Sequence, residues 1–448
     1  MTGHAPVARS SGRMQPDAQF ESHATRVLTG MRDALKALLD ATPGSSSRAV
    51  ELADSLGIHT KLAWQTHRVA NATEPLAEAA NFPSPTGVER LLDAASRRGA
   101  PAERVLEVKA LAQELNEFIR THAGSRAEFE TMVSALAGGG HERIDLAHKR
   151  AAFRAQSHIF GVQARTHLGC MLVAPSASNP RRVDFVSLRG LIGLRRFRRD
   201  CSWVISQTRN NPPDTHPVPL TEPEHLDPDA RPECHEGLLT GFCSKPLPQL
   251  RRAPGPLRHM TNIEILGSGV GNASSVTCLL GDVFRECKAR YKGPESRRHI
   301  SNARVRTPTR LLVQELLLHQ DLVDEGAEPK LSVFSDHRDV DIRLEDNIEA
   351  RACDILPLKE SLIHLGKGPG AVRSRDVPRY EEMIRYATDR VGWDPASFHI
   401  YRARIEYPVM PSSVVIHFEL PEDPAPEGGE PTGGSYGSRN DRARPIDR

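Results

Sequence analysis

RAVELADSLGIHTKLAWQTHRV, residues 48–69, joins two short helical periods through a glycine. Leu52, Leu56 and Ile58 place apolar groups on one side, and Ala63 and Val69 continue that side beyond the turn. Ala53 is small where two helices would cross closely, and Gly57, four residues on, can take the left-handed conformation of a tight turn. The spacing predicts a helix over 48–55 with Ser47 as N-cap, a turn at 56–58, and a second helix from Thr60 through Val69. Thr66 falls on the inner side, where a larger apolar residue would be more usual.

Upstream, Val27, Leu28, Met31, Leu35, Leu38 and Leu39 form one apolar stripe on a helix that Pro43-Gly44 ends. That helix supplies the third wall of a trihelical core. Over about residues 25–72 the pattern resembles the helix-turn-helix of DNA-binding proteins. The resemblance implies a recognition helix over 60–69, double-stranded DNA as partner, and an outward row of His59, Thr60, Lys61, Trp64, Gln65 and Arg68. Gln65 suits adenine, Arg68 suits guanine or phosphate, and Thr60 suits phosphate. The competing reading is an ordinary helical hairpin within a core. Residues 1–140 carry 15 basic and 16 acidic side chains, so affinity would have to come from local placement, dimerisation or the basic region further on.

Further outward, the texture of the 448 residues divides the chain. Residues 1–20 and 422–448 are polar and aperiodic and are expected to be disordered. Residues 21–140 read as helical, with breaks at Pro43-Gly44, Pro83-Ser84-Pro85, Gly99-Ala100-Pro101 and Gly138-Gly139-Gly140. A helix over 102–122 carries Val105, Val108, Ala112, Leu115 and Ile119 at heptad-like steps, a seam suited to a homodimer or to packing within its own subunit. Residues 141–209 form a basic mixed segment with 13 Lys and Arg against 4 Asp and Glu. Its Arg181, Arg182, Arg195, Arg196, Arg198 and Arg199 are candidates for secondary phosphate contacts, or else a solvated face beside a strand. A Pro-rich linker or long loop is expected over 210–257. An α+β domain of unassigned role follows over 258–421. There, 309–321 and 379–391 are helical by pattern, and two alternating runs (Tyr401, Ala403, Ile405, Tyr407; Val414, Ile416, Phe418, Leu420) predict an antiparallel hairpin. The expected fold class is multidomain α+β, with an all-helical N-terminal region ahead of a mixed region containing antiparallel strands.

Composition narrows the function classes. With 59 Lys and Arg against 57 Asp and Glu the chain is no polycation, although 49 Arg against 10 Lys suits phosphate recognition as readily as it reflects a GC-rich genome. No uninterrupted apolar run reaches membrane-spanning length and the N-terminus carries no secretory pattern, so a cytoplasmic protein is expected. Seven scattered cysteines do not form a disulfide framework. Gly267, Gly269 and Gly271 follow an apolar run as G-x-G-x-G but lack the dinucleotide fingerprint. Cys234, His235 and Cys243 lack a CxxC pair, and Asp336, His337, Asp339 and Asp341 alternate as an exposed strand face would. No metal, cofactor or catalytic residue is therefore expected. The reading is a DNA-binding transcriptional regulator with a C-terminal sensing or partner-binding domain. The alternatives are an enzyme or nucleotide-binding protein with its site in the C-terminal domain, and a protein-interaction scaffold.

Overall fold

The computed structural model describes residues 16–45, 48–136, 141–199, 203–209, 223–230, 237–255, 260–267, 269–293, 297–335 and 353–424. The fold is mixed α+β, in two compact units: residues 1–151, helical, and residues 152–448, rich in sheet. No described helix is long and apolar enough to cross a membrane.

In the N-terminal unit α1 (Pro16–Ala41) presents the predicted stripe, and Val27, Leu28, Met31, Leu35, Leu38 and Leu39 are all buried. Around it pack α2 (Ala49–Leu56), α3 (Thr60–Ala70), a 3-10 turn (Pro75–Asn81), α4 (Pro85–Arg97), α5 (Ala102–His122) and α6 (Arg126–Leu136). Helix α7 (His141–Phe160) runs across the boundary between the units. Helix α2 ends at Gly57, at φ 63° and ψ 37°, and the Ile58 N–H donates to the Ala53 carbonyl at 3.1 Å, a Schellman-type stop. Residue 48 caps α2 without a side-chain hydrogen bond, and the expected cap Ser47 lies outside the described residues. Residues 16–20, expected to be disordered, form the first turn of α1, where Phe20 stacks on Phe118 at 5.4 Å. The seam of α5 is filled within the unit: Val108, Ala112 and Leu115 are buried in the same core as α1. A homodimer through 102–122 would have to use another face of that helix, such as the one bearing exposed Leu106.

The C-terminal unit holds β1 (Val162–Pro175), β2 (Arg182–Arg196), β3 (Trp203–Arg209), β4 (Glu224–His225), β5 (Leu250–Pro254), β6 (Met260–Ile265), β7 (Val276–Ala289), β8 (Arg298–Val305) and β9 (Thr309–His319). It continues with α8 (Gln320–Asp324), β10 (Lys330–Ser335), β11 (Leu362–Lys367), α9 (Tyr380–Val391), β12 (Phe398–Glu406) and β13 (Ser412–Glu419). Seven strands form one sheet in the order β11-β12-β9-β1-β2-β7-β4, in which only β1 and β9 run parallel. Two three-stranded sheets, β10-β13-β8 and β3-β6-β5, accompany it. One face of the large sheet packs Leu168, Leu188, Val313 and Leu317 with Met383, Ile384 and Ala387 of α9. On the other face, Val173, Leu316 and Leu318 meet Ile416 and Phe418 of β13, while Leu312 and Ile405 meet Ala303 and Val305 of β8.

This arrangement corrects several expectations. The segments 141–209 and 258–421 both contribute strands to one sheet and are not separate regions, because β1 pairs with both β2 and β9. The described part of 210–257 is no linker: Leu226, Leu238, Leu239 and Leu250 are buried in the core. Residues 309–319 are a strand, not a helix. Strand β9 is covered on both faces, so its apolar residues run on continuously and their spacing carries no strand period. The two alternating C-terminal runs are strands, yet they do not form a hairpin: β12 pairs with β9 and β11, whereas β13 pairs with β8 and β10. The predicted helix at 379–391 is α9.

Two buried polar residues test this packing. Thr66 is fully buried on the inner side of α3, and its hydroxyl has no hydrogen-bond partner among the described residues. Thr66→Val keeps the shape and removes the unpaired group, and chemical denaturation should show a gain of about 1 kcal/mol. Glu315 is also fully buried; burial pushes its carboxyl upward, while Arg402 and the Tyr380 hydroxyl, donating at 2.7 Å, act in the opposite direction. Arg402→Ala strands that carboxylate, and a loss of about 3–5 kcal/mol should appear in the same measurement.

Candidate functional site

Helix α3 begins at a histidine cap: His59 Nδ1 accepts the Lys61 N–H at 3.2 Å, which fixes the first turn. Leu62, Ala63, Thr66, Val69 and Ala70 turn inward and are buried. His59, Thr60, Lys61 and Trp64 are exposed on the outer side, and Gln65 is half-buried. At 45% exposure Trp64 is a surface residue and no part of the core. Arg68 departs from the expected role. Its guanidinium makes a two-pronged pair with Glu78, at 2.5 and 2.7 Å, and lies 5.2 Å from the centroid of the Trp64 ring. The hydrogen bonds to Glu78 raise its pKa further, so this arginine clamps α3 to the 3-10 turn while stacking under Trp64.

The six arginines of the basic segment do not assemble into one patch. Arg181 and Arg182 sit at the start of β2 and Arg195 to Arg199 at its end, about 45 Å apart at about 3.3 Å per residue. Arg196 is 1% exposed and donates to the Ile265 carbonyl at 2.8 Å, so it cannot reach a phosphate. Arg181 pairs with Asp423 at 2.7 Å, Arg182 donates to the Glu286 carbonyl at 3.1 Å, and Arg195 bonds Asn272. Arg198 packs over Gly161 and, like Arg199, is exposed. Strand alternation sends Arg195 and Arg196 to opposite faces, and the length of β2 separates them from Arg181 and Arg182.

Between β6 and β7 the glycine run leads into a 3-10 turn (Asn272–Ser274), and among the described residues no α-helix opens there to receive a phosphate. Cys243 is buried; burial pushes its thiol up to about 11, and it exchanges hydrogen bonds with the Leu279 backbone at 3.3 and 3.4 Å. Cys234, His235, Asp336, His337, Asp339 and Asp341 lie outside the described residues. Among the described residues no group of three His, Cys, Asp or Glu side chains could hold a metal ion.

A feature missed by the sequence reading lies in the C-terminal unit. A cavity of about 640 Å³ opens between β1, β2 and β9 of the large sheet and strands β3 and β8, within the size range of small-molecule sites. Gly169 lies at its floor, in register with Arg189 on one side and Gln314 on the other. A Cβ at Gly169 would collide with the Gln314 carboxamide, so the glycine lets that side chain lie across β1. Gln314 Nε2 donates to Ser301 Oγ at 2.8 Å. Four buried side-chain atoms lack a hydrogen-bond partner among the described residues, and three of them, His167 Nδ1, Asn302 Oδ1 and Gln314 Oε1, belong to residues that also line the cavity, the atoms themselves being buried. Each such buried, unpaired atom costs about 1–3 kcal/mol. The available signal was the polar pair Gln314 and Glu315 within an apolar run, which a helical reading places on a solvent face.

No protein-family model matches the chain, and neither a curated protein nor a solved structure is significantly similar to it.

Burial pushes the His167 imidazole down to about 4 from its ordinary 6.5. Below pH 6.5 the unfolded chain takes up a proton that the folded chain refuses, so stability falls as pH drops from 6.5 towards 4 and is unaffected above that window. In His167→Gln the loss between pH 7 and pH 5 should shrink by about 2 kcal/mol, as read by urea denaturation at the two pH values.

Proposed function

We propose that this protein is a DNA-binding regulator whose N-terminal unit reads duplex DNA with the outer face of α3, and whose C-terminal unit senses a ligand or partner. The observation that carries this reading is the division of α3: one side is buried against α1 and α2, while His59, Thr60, Lys61 and Trp64 stand exposed along the other, with Gln65 beside them. The tight α2–Gly57–α3 turn after an amphipathic helix supports a helix-turn-helix in the DNA-binding sense. Thr60 and Lys61, at the N-terminal end of α3, suit phosphate, and the Gln65 carboxamide suits adenine. Arg68 acts here as a clamp for Trp64 and the 3-10 turn, not as a base reader.

The test is a salt series with the full chain on a pool of duplexes enriched for binding, read by fluorescence anisotropy. Gln65→Ala should relax preference at one base pair at a cost of about 1–3 kcal/mol. Lys61→Ala should weaken all sequences alike and reduce the salt slope by about one. Absence of any binding at low salt would leave α2 and α3 as a structural hairpin.

A further inference from the structure

Two histidines converge at the β11 edge of the large sheet, outside the cavity. We infer that His364 and His399 form a chelating site for a divalent transition ion that prefers imidazole, zinc being the representative case, with water filling the remaining positions. The site is independent of the DNA-binding reading and is measurable without DNA.

The sheet brings the two rings together. Strand β11 pairs antiparallel with β12, so His364 stands opposite Tyr401 and diagonal to His399, on the same side of the sheet. The register shifts between His364 and Gly366, which takes φ 103°, and a bulge of this kind re-aims the side chain beside it. Tyr401 stacks on the His364 ring with centroids 4.7 Å apart, which fixes that ring. The two imidazoles are themselves nearly parallel, 5.4 Å between centroids, and His364 Nε2 and His399 Nδ1 end 3.2 Å apart.

That separation is the bite of a chelated ion. With metal–nitrogen bonds of about 2.0–2.1 Å, two donors on a tetrahedral ion lie about 3.3 Å apart, and two at a right angle about 2.9 Å. Each neutral imidazole offers one lone-pair nitrogen. In the bound tautomers the protons sit on His364 Nδ1 and His399 Nε2, and the hydrogen bond now joining the rings is given up to the ion. His364 is exposed and His399 half-buried, so an ion enters from solvent. Burial, His364 and Lys367 hold His399 below the ordinary histidine range, with Asp324 acting the other way, so its ring is available uncharged at pH 7. The Lys367 ammonium is engaged by Gln320 Oε1 at 2.6 Å. A pair of imidazoles selects zinc-like ions over magnesium and calcium, which take oxygen.

The experiment titrates the full chain with zinc chloride by calorimetry and follows the melting temperature in parallel, with magnesium chloride as the contrast. Zinc should bind and raise the melting temperature, and magnesium should do neither. His364→Gln and His399→Gln should each weaken the tightest zinc binding by at least about tenfold, because a single imidazole loses the chelate. His148→Gln, at an exposed histidine of α7, should leave it unchanged. X-ray absorption at the zinc edge, on the unmodified chain with one equivalent bound, should count two imidazoles and oxygen donors for the rest; this reading needs no variant to fold. No zinc binding at millimolar concentration, undiminished affinity in both pair variants, equal binding of magnesium, or a different imidazole count would each overturn the inference.

Discussion

Strand β9 is covered on both faces, and it carries two consecutive polar residues that must each find a partner on opposite sides of the sheet. Glu315 points to the face covered by α9, where Tyr380 and Arg402 meet it. Gln314 points to the other face, where Ser301 of β8 receives its amide across Gly169. A buried carboxylate is tolerated only when paired and hydrogen-bonded, so these contacts fix more than local geometry. They set the register of β12, in which Arg402 stands opposite Glu315, and they help seat α9 and β8 on their respective faces. A slip of one residue would exchange the two groups between faces and leave both without partners.

The N-terminal unit follows a simpler rule. Its helices each close an apolar stripe around α1, and the seam of α5 is consumed in that closure. What remains outside is the row on α3, held in place by the His59 cap at one end and by the Arg68–Glu78 clamp toward the other. The clamp also orders Trp64, a large aromatic that packing within the unit leaves exposed. In each unit, then, one feature exceeds what internal packing requires: an ordered polar-aromatic row on α3, and a cavity between the large sheet and strands β3 and β8.

Legibility differed between the units for a physical reason. Amphipathic helices write their contacts into local spacing, so the stripe of α1, the turn at Gly57 and the outward positions of His59, Thr60 and Lys61 could be read directly, whereas the exposure of Trp64 came from the structure. Arg68 could not be assigned, because its partner Glu78 lies on a different element. In the C-terminal unit the single-faced strands β12 and β13 were legible by alternation, but their partners were not, since pairing is decided by strands far away in sequence. Strand β9 was misread as a helix because burial on both faces erases the period that distinguishes the two.

The sequence by itself determined the helical N-terminal unit, the glycine turn between α2 and α3 and the side of α3 that is exposed, because each depends on neighbours within a few turns. Only the tertiary structure decided that β1, β2, β9, β11 and β12 share one sheet, that the arginines of β2 are dispersed, and that His167, Asn302 and Gln314 line one cavity. Those three residues lie as much as 147 positions apart in the chain. They meet because β1 pairs in parallel with β9 while β8 crosses above them, a long-range arrangement on which local spacing is silent.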